Sequence, residues 1–330
     1  MVKAFKNVPE SGKLGLSIII VTWNAKKYVW ECLKSLEQQS KDLSVEIIVV
    51  DNASSDGTPE LVRGQFPQTR LVQNQRNLGF ARANNIGINL SRGKYVCLVN
   101  SDVYVPSGCL AMMLSYLEQN PTVGILGPRM LRPDGAVGRS YMRFPTVWNC
   151  FCRALALDSL FKGAKLFGGF LMTDFKNNGT ADVEVLNGWF WMVRRSALEA
   201  VGLLDEDFFM YGEDIDWCKR FHNAGWRTVY YPEAEAIHYG GASSSSAPVR
   251  FYIEMEHANL YYWKKHHHRF GEVSFFVTTW LHNVIRLLGY AVLYLLKRSQ
   301  RSEAVFKIRR SIACILWLIG LKPSYADERE

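Results

Sequence analysis

The sequence has few cysteines and no C-x-x-C pair: seven cysteines in 330 residues. An odd, scattered set excludes a disulfide scaffold and a four-cysteine zinc site, so the chain reads as reduced and facing the cytosol. Neither G-x-x-x-x-G-K-[ST] nor G-x-G-x-x-G occurs, which removes the main support for a P-loop or a dinucleotide fingerprint. Residues 1–15 have no apolar core, and the first apolar run, Leu16 to Val21, is too short for a secretory signal. Hydrophobic residues at 48% and charged residues at 21% exclude global disorder and allow a sizeable core. Acidic residues are scarce in one place above all. Between Lys264 and Arg310, ten lysines and arginines meet only Glu272 and Glu303, so the net charge of +8 resides in this segment. The basic surface to be explained is local.

What is present is an alternation. Leu16 to Thr22 and Val45 to Val50 are continuous apolar, β-branched runs, as expected of strands covered on both faces of a parallel sheet. Between them, Val29, Cys32, Leu33 and Leu36 fall on one face of a helix. A helix from Pro59, a strand at Arg70 to Gln73, a helix to Leu90 and a strand at Lys94 to Val99 continue the pattern. The expectation is an α/β fold with a doubly wound, mostly parallel sheet. Ligands of such sheets sit beyond the carboxyl ends of the strands. Asn24, then Asp51 and Asn52, then Arg76 and Asn77, then Asn100, Ser101 and Asp102 stand at four successive strand ends. Residues 127–182 show no regular pattern. Further on, Val185 to Val193 reads as a strand that places Trp189 and Trp191 on one side. The acidic run Glu213-Asp214-Ile215-Asp216 opens a helix that ends at Gly225, and short strands follow at Arg227 to Tyr231 and Ala236 to Tyr239.

Six blocks in order, SIIIVTWN, VVDNASSDGT, NLGFARANN, YVCLVNSD, NGWFWMVRR and YGEDIDWCKRFHNAGWRTVYYP, resemble the family-2 inverting glycosyltransferases of GT-A fold. The resemblance is to the rhamnosyltransferase-like branch of bacterial surface polysaccharide synthesis and covers about residues 15–245. It implies transfer of a sugar from a nucleoside diphosphate, a dTDP- or UDP-sugar, to a lipid-linked or glycan acceptor. Asp102 then corresponds to the carboxylate that ligates a divalent ion, Mg2+ or Mn2+, across the diphosphate. The family's D-x-D is N-x-D here, so Asn100 lacks the first charge. Asp214 is implied as the base that takes the acceptor proton, with Glu213, Asp216, Gly188 and Trp189 around the acceptor. His238 has two readings, a second metal ligand by its separation from the base or a structural strand histidine. Thr22, Asn24, Asp51, Asn52, Asn77, Arg82, Asn84, Asn100 and Ser101 are assigned to the nucleotide sugar. Arg82 also reads as a solvated helix face, and the tryptophans as core.

A serine run at 243–246 marks the expected boundary, giving a catalytic domain over 1–245 and a basic, apolar helical region over 246–330. Phe275 to Leu296 is apolar but interrupted by His282, Asn283 and Arg286. A central arginine costs about 2.5–3.5 kcal/mol on insertion. Ser311 to Leu321 is too short to span the bilayer. The expectation is helices lying on an anionic membrane, at the cytoplasmic face of the inner membrane, peripheral or monotopic, with a tilted span as the competing reading. No nucleic-acid partner is expected. A sugar nucleotidyltransferase would open with a glycine-rich loop where Thr22-Trp23-Asn24-Ala25 stands, and a non-catalytic membrane module would leave Asp102 and Asp214 unexplained.

Overall fold

The computed structural model describes residues 15–40, 43–161, 163–164, 166–167, 169–172, 179–240 and 248–321; the serine run and the expected 245/246 boundary lie outside them. Along the chain run β1 (Leu16–Thr22), α1 (Lys26–Ser40), β2 (Val45–Asp51), α2 (Thr58–Gln65), β3 (Arg70–Gln73), α3 (Phe80–Leu90), β4 (Tyr95–Asn100) and β5 (Val103–Tyr104). Then come α4 (Cys109–Gln119), β6 (Val123–Leu131), β7 (Tyr141–Met142), α5 (Val147–Ala154), α6 (Leu157–Leu160), β8 (Ala181–Asp182), β9 (Val185–Leu186) and β10 (Phe190–Arg194). The last elements are α7 (Arg195–Val201), α8 (Glu213–Asn223), β11 (Arg227–His238), α9 (Pro248–Leu296) and α10 (Arg301–Leu318).

The apolar strands are apolar because both faces are covered. Leu16, Ile18 and Ile20 of β1 share a core with Val29, Cys32, Leu33 and Leu36 of α1 and with Leu110 and Met113 of α4. The opposite face carries Ile48, Val50 and Ala83, with α3 above it. There a Cβ added at Gly87 would come within 2.4 Å of Ile19 Cγ2, so only glycine lets α3 approach β1. Each buried Leu or Ile contributes about 1.5–3 kcal/mol.

The main sheet runs β3-β2-β1-β4-β10-β6-β11-β5, with β8 added to β11. β3, β2, β1 and β4 are parallel, and β6 and β11 are parallel to each other. Between these groups β10 is antiparallel to both neighbours. The architecture is therefore α/β with a mostly parallel central sheet. Because β1 lies between β2 and β4, the order reverses there, and the carboxyl ends of these strands form the edge at which such sheets bind ligands. The two short strands expected at Arg227 to Tyr231 and Ala236 to Tyr239 are one strand, β11, with a register shift between Tyr231 and Glu235. Pro232 falls within that shift, where its missing N–H is tolerated.

The described residues divide into two compact units, one drawn from Met1–Met142, Asn177–Phe209 and Glu213–Ser243, the other from Arg143–Lys176, Met210–Gly212 and Ser244–Glu330. The single cut expected after residue 245 differs from this division. Residues 143–176 go with the helices because α5 packs on α9. Within the helical unit α9 bends at His268, where φ is 53°. α10 folds back along α9, burying Ala313 and Cys314 against Ile253.

Candidate active site

Register sets the first part of the site. Thr22 pairs with Asp51 and Val21 with Asn100, so three strand ends finish level. Thr22 Oγ1 donates to Asp51 Oδ1 at 2.9 Å, and Ser54 donates to the same carboxylate through Oγ at 2.5 Å and N at 2.9 Å. Asp51 is 1% exposed. Asn52 accepts from Asn74 Nδ2 at 2.8 Å and donates to Gly79 O at 3.1 Å, and Asn77 Oδ1 accepts from Gly79 N at 2.9 Å. Asn24, at φ 50°, accepts from Ser55 N at 2.9 Å. Thr22, Asn24, Asp51, Asn52 and Asn77 thus come together as one laced rim. Asn84 and Arg82 do not join it. Asn84 is buried and donates back to Phe80 O of its own helix at 2.9 Å. Arg82 is half exposed, 3.7 Å from Glu206.

The second part lies where β11 meets the turn between β4 and β5. His238 pairs with Val103, and Tyr239 N donates to Asp102 O at 3.0 Å. This brings His238 Nε2 to 3.2 Å from Asp102 Oδ1. Trp189 lies flat on the imidazole, ring centroids 5.3 Å apart and planes 17° apart, and its carbonyl accepts from Asn100 N at 2.9 Å. Asn100 and Ser101 are half-buried at the rim. The pair fits a small divalent ion. Neighbouring ligand atoms at the 2.0–2.1 Å of an octahedral ion lie about 3 Å apart, near the separation seen here. Among the described residues no third His, Cys, Asp or Glu completes a cluster, so the remaining positions would fall to substrate oxygens and water. Cys32 stands near Asp102, but burial first and that carboxylate second push its thiol up to about 12, which keeps it unreactive.

The third part is the acidic turn of α8. Here three carboxylates in four residues meet different fates. Glu213 is buried with no hydrogen-bond partner for Oε2 among the described residues, and burial, then the neighbouring Asp214, push its carboxyl up to about 8. Asp214 is half-buried and its Oδ1 accepts from Ile215 N at 2.8 Å. It lies against Gly188, where an added Cβ would meet Asp214 Cβ at 3.6 Å and the Trp191 ring at 3.3 Å. Asp216, expected beside the acceptor, is held inside the protein. It is 0% exposed and bonded to Arg220 Nε at 2.8 Å, and that guanidinium also donates to Val201 O and Leu203 O. Its task is to tie α8 to the end of α7.

The strand expected over Val185 to Val193 is broken between β9 and β10. β10 begins at Phe190, so Trp189 precedes the strand and the period of two does not reach it. Trp189 shares a core with Phe190 and Met192, whereas Trp191 packs on Trp217. Gly188 and Trp189 therefore link Asp214 on one side to His238 and Asp102 on the other. Sequence reasoning passed over a further element, a hairpin at the end of β6. It lines, with His238, Tyr239 and Gly240, a cavity of about 620 Å³. Its turn, Arg132-Pro133-Asp134-Gly135, carries a readable signature.

Comparisons with known proteins place the chain in a family. The profile of Glycosyl transferase family 2 matches residues 17–202. The N-acetylglucosaminyl-diphospho-decaprenol L-rhamnosyltransferase of Mycobacterium tuberculosis (strain ATCC 25618 / H37Rv) is 30% identical over 268 residues, 74% of this chain and 82% of that protein. Among solved structures, the mannosyltransferase PcManGT from Pyrobaculum calidifontis, in complex with GDP-Man and Mn2+, superposes with a TM-score of 0.52 at 19% identity. It covers 92% of this chain and 87% of its own. S. aureus TarS 1–349 in complex with UDP-GlcNAc gives 0.51 at 17% identity, covering 93% and 84%. With the family profile over more than half its length and a relative alike over most of both chains, the chain belongs to glycosyl transferase family 2 and is a glycosyltransferase of GT-A fold.

Proposed function

We propose that this glycosyltransferase moves a sugar, rhamnose by likeness to its mycobacterial relative, from a dTDP- or UDP-sugar to a hydroxyl of a lipid-linked glycan, with inversion. The observation that carries the reading is the run Asp214, Gly188, Trp189, His238, Asp102, which sets one carboxylate apart from a metal-competent pair across a single aromatic wall. The acceptor oxygen attacks the anomeric carbon, the bond from that carbon to the diphosphate oxygen breaks, and the acceptor proton passes to an Asp214 oxygen. Burial, then Asp214, raise the Glu213 carboxyl to about 8, which makes it a poorer candidate for a charged base than its half-buried neighbour. Asp102 and His238 would hold Mg2+ or Mn2+, which supplies positive charge to the leaving diphosphate when bound. The rim of Thr22, Asn24, Asp51, Asn52 and Asn77 receives the nucleoside, with Asn100 and Ser101 beside the diphosphate.

The helical unit, taken alone, supports a reading of membrane association. Val273, Val277, Trp280, Leu288, Val292 and Leu295 of α9 are exposed at helical spacing, and Trp148, Phe151 and Phe161 add exposed aromatics. Apolar surface of this extent, bordered by cations, suits the cytoplasmic leaflet of a bacterial inner membrane. α9 is also long and apolar enough to cross a membrane, by length and composition. Protease protection of the two chain ends on opposite sides of sealed vesicles would favour the span over the interfacial helix.

Transfer is tested with the purified chain, dTDP-rhamnose, UDP-sugars and GDP-mannose as donors, a polyprenyl-diphospho-N-acetylglucosamine acceptor, and Mn2+, Mg2+ or chelator. Product of inverted anomeric configuration, formed only with a divalent ion, is expected. A retained configuration, or no transfer from any donor, overturns the reading.

A further inference from the structure

The hairpin at the end of β6 is tied together by its backbone but electrically incomplete. Gly138 N donates to Met130 O at 2.8 Å, Arg132 N to Ala136 O at 2.9 Å and Gly135 N to Arg132 O at 2.9 Å, while Leu131 and Val137 form a bridge. Asp134 serves the turn, its Oδ1 accepting from Ala136 N at 3.0 Å. Arg132 and Arg139 both border the cavity and are exposed. Neither guanidinium has an ion pair or a hydrogen bond with another described residue. Arg129, three residues back along β6, is by contrast paired with Glu235 at 2.9 Å. Two uncommitted guanidiniums at a cavity of about 620 Å³ suit a ligand with anionic oxygens on two centres, since each planar fork can grip one phosphoryl group in bidentate fashion.

The place of the cavity separates two sources of such a ligand. The nucleotide rim stands on β1, β2 and β4, whereas the cavity is lined from β6 and β11, with β10 between them in the sheet. His238 is common to both, bordering the cavity on one side and touching Asp102 on the other. We infer that Arg132 and Arg139 bind the diphosphate of the polyprenyl-linked acceptor, and so hold the acceptor glycan beside His238 and Trp189. This rests on the function proposed above and adds to it the residues that read the acceptor's charged joint.

The test uses the full chain in detergent micelles and titrates farnesyl diphosphate, farnesol, UDP and dTDP by calorimetry. The wild-type protein is expected to bind farnesyl diphosphate but not farnesol, and to bind UDP or dTDP at the same time. Arg132→Ala with Arg139→Ala should weaken farnesyl diphosphate about tenfold or more while leaving the nucleotides within about twofold. Unchanged nucleotide binding also certifies the fold. The paired lysine variant should fall between, because it keeps charge and loses the fork. Four results overturn the inference: no wild-type binding of farnesyl diphosphate, equal binding of farnesol, competition between farnesyl diphosphate and the nucleotides, or no effect of the alanine pair. Absence of UDP and dTDP binding in the wild type would instead strike the function proposed above.

Discussion

In the α/β unit, charge at the strand ends is sparse and tied. Asp51 accepts from Thr22 and Ser54, Asp216 is sealed against Arg220, and Asp102 touches His238. In the helical unit the cations Lys297, Arg298, Arg301 and Arg309 stand exposed, next to Leu295 and Leu296 at 71% and 78% exposure. The first pattern fixes individual atoms, as chemistry on a substrate demands. The second sets exposed cations beside apolar surface, which suits a diffuse anionic plane. The contrast separates two kinds of effect: point changes in the first unit should act steeply and by residue, and changes in the second should act gradually and by charge.

The steepest expected effect is at the proposed base. Asp214→Asn should leave nucleotide-sugar affinity nearly intact and lower turnover by about 10²–10⁴. A larger loss in Glu213→Gln or Asp216→Asn, measured in the same assay, would move the base to that neighbour. At the metal-competent pair, Asp102→Ala should abolish the gain in donor affinity that Mn2+ or Mg2+ brings, read by calorimetry with and without the ion. Metal-dependent binding undiminished in that variant would place the ion elsewhere.

Asp216 separates structure from chemistry within the same turn. Asp216→Ala leaves the partly buried Arg220 without its carboxylate, a loss of about 3 kcal/mol for a broken buried pair. Chemical denaturation should show that loss, and residual activity should follow the folded fraction. Nothing in the sequence GEDID distinguishes its three acids, because what sorts them is distant: the carbonyls of Val201 and Leu203 that share Arg220, and Gly188 that meets Asp214. The strands β1, β2 and β4 were legible for the opposite reason. Burial on both faces writes itself into every residue of a run. The strand ends that carry the candidate site were legible too, since strand ends follow from strands. The side on which Trp189 falls was not, because the run read as one strand is broken after Leu186 and the ladder resumes only at Phe190. The hairpin of Arg132 and Arg139 shows only its turn, as its value lies in pairings that its arginines lack.

Glu213 offers a pH signature. Its carboxyl is raised from the usual 4.5 to about 8, by burial first and by Asp214 second. Between these values the folded chain holds this proton while the unfolded chain has released it, so this group's stabilising contribution declines as pH rises from about 4.5 to about 8. Tm of the wild type should therefore fall relative to Glu213→Gln across that window and run parallel to it above. Parallel curves throughout would mean that Glu213 is ionised and partnered in solution.

The smallest effect belongs to the helical unit, and it must be sought by charge neutralisation. Truncation near residue 270 would remove α10 and expose Ile253, which Ala313 and Cys314 now cover, so lost binding could come from lost packing. Arg298 is exposed and takes no part in that core. Arg298→Gln should cost about 1 kcal/mol, roughly fivefold, in partition to vesicles rich in anionic lipid. The same change should have no effect on neutral vesicles. Raising salt should shrink the difference between variant and wild type, since exposed charges are screened over about 10 Å at 0.1 M. Binding itself should persist at high salt, because the apolar stripe of α9 is unaffected by ions. Equal affinity of the wild type for neutral and anionic vesicles would remove the electrostatic half of the contrast. The exposed cations would then be solvated side chains flanking a helix held by its apolar surface alone.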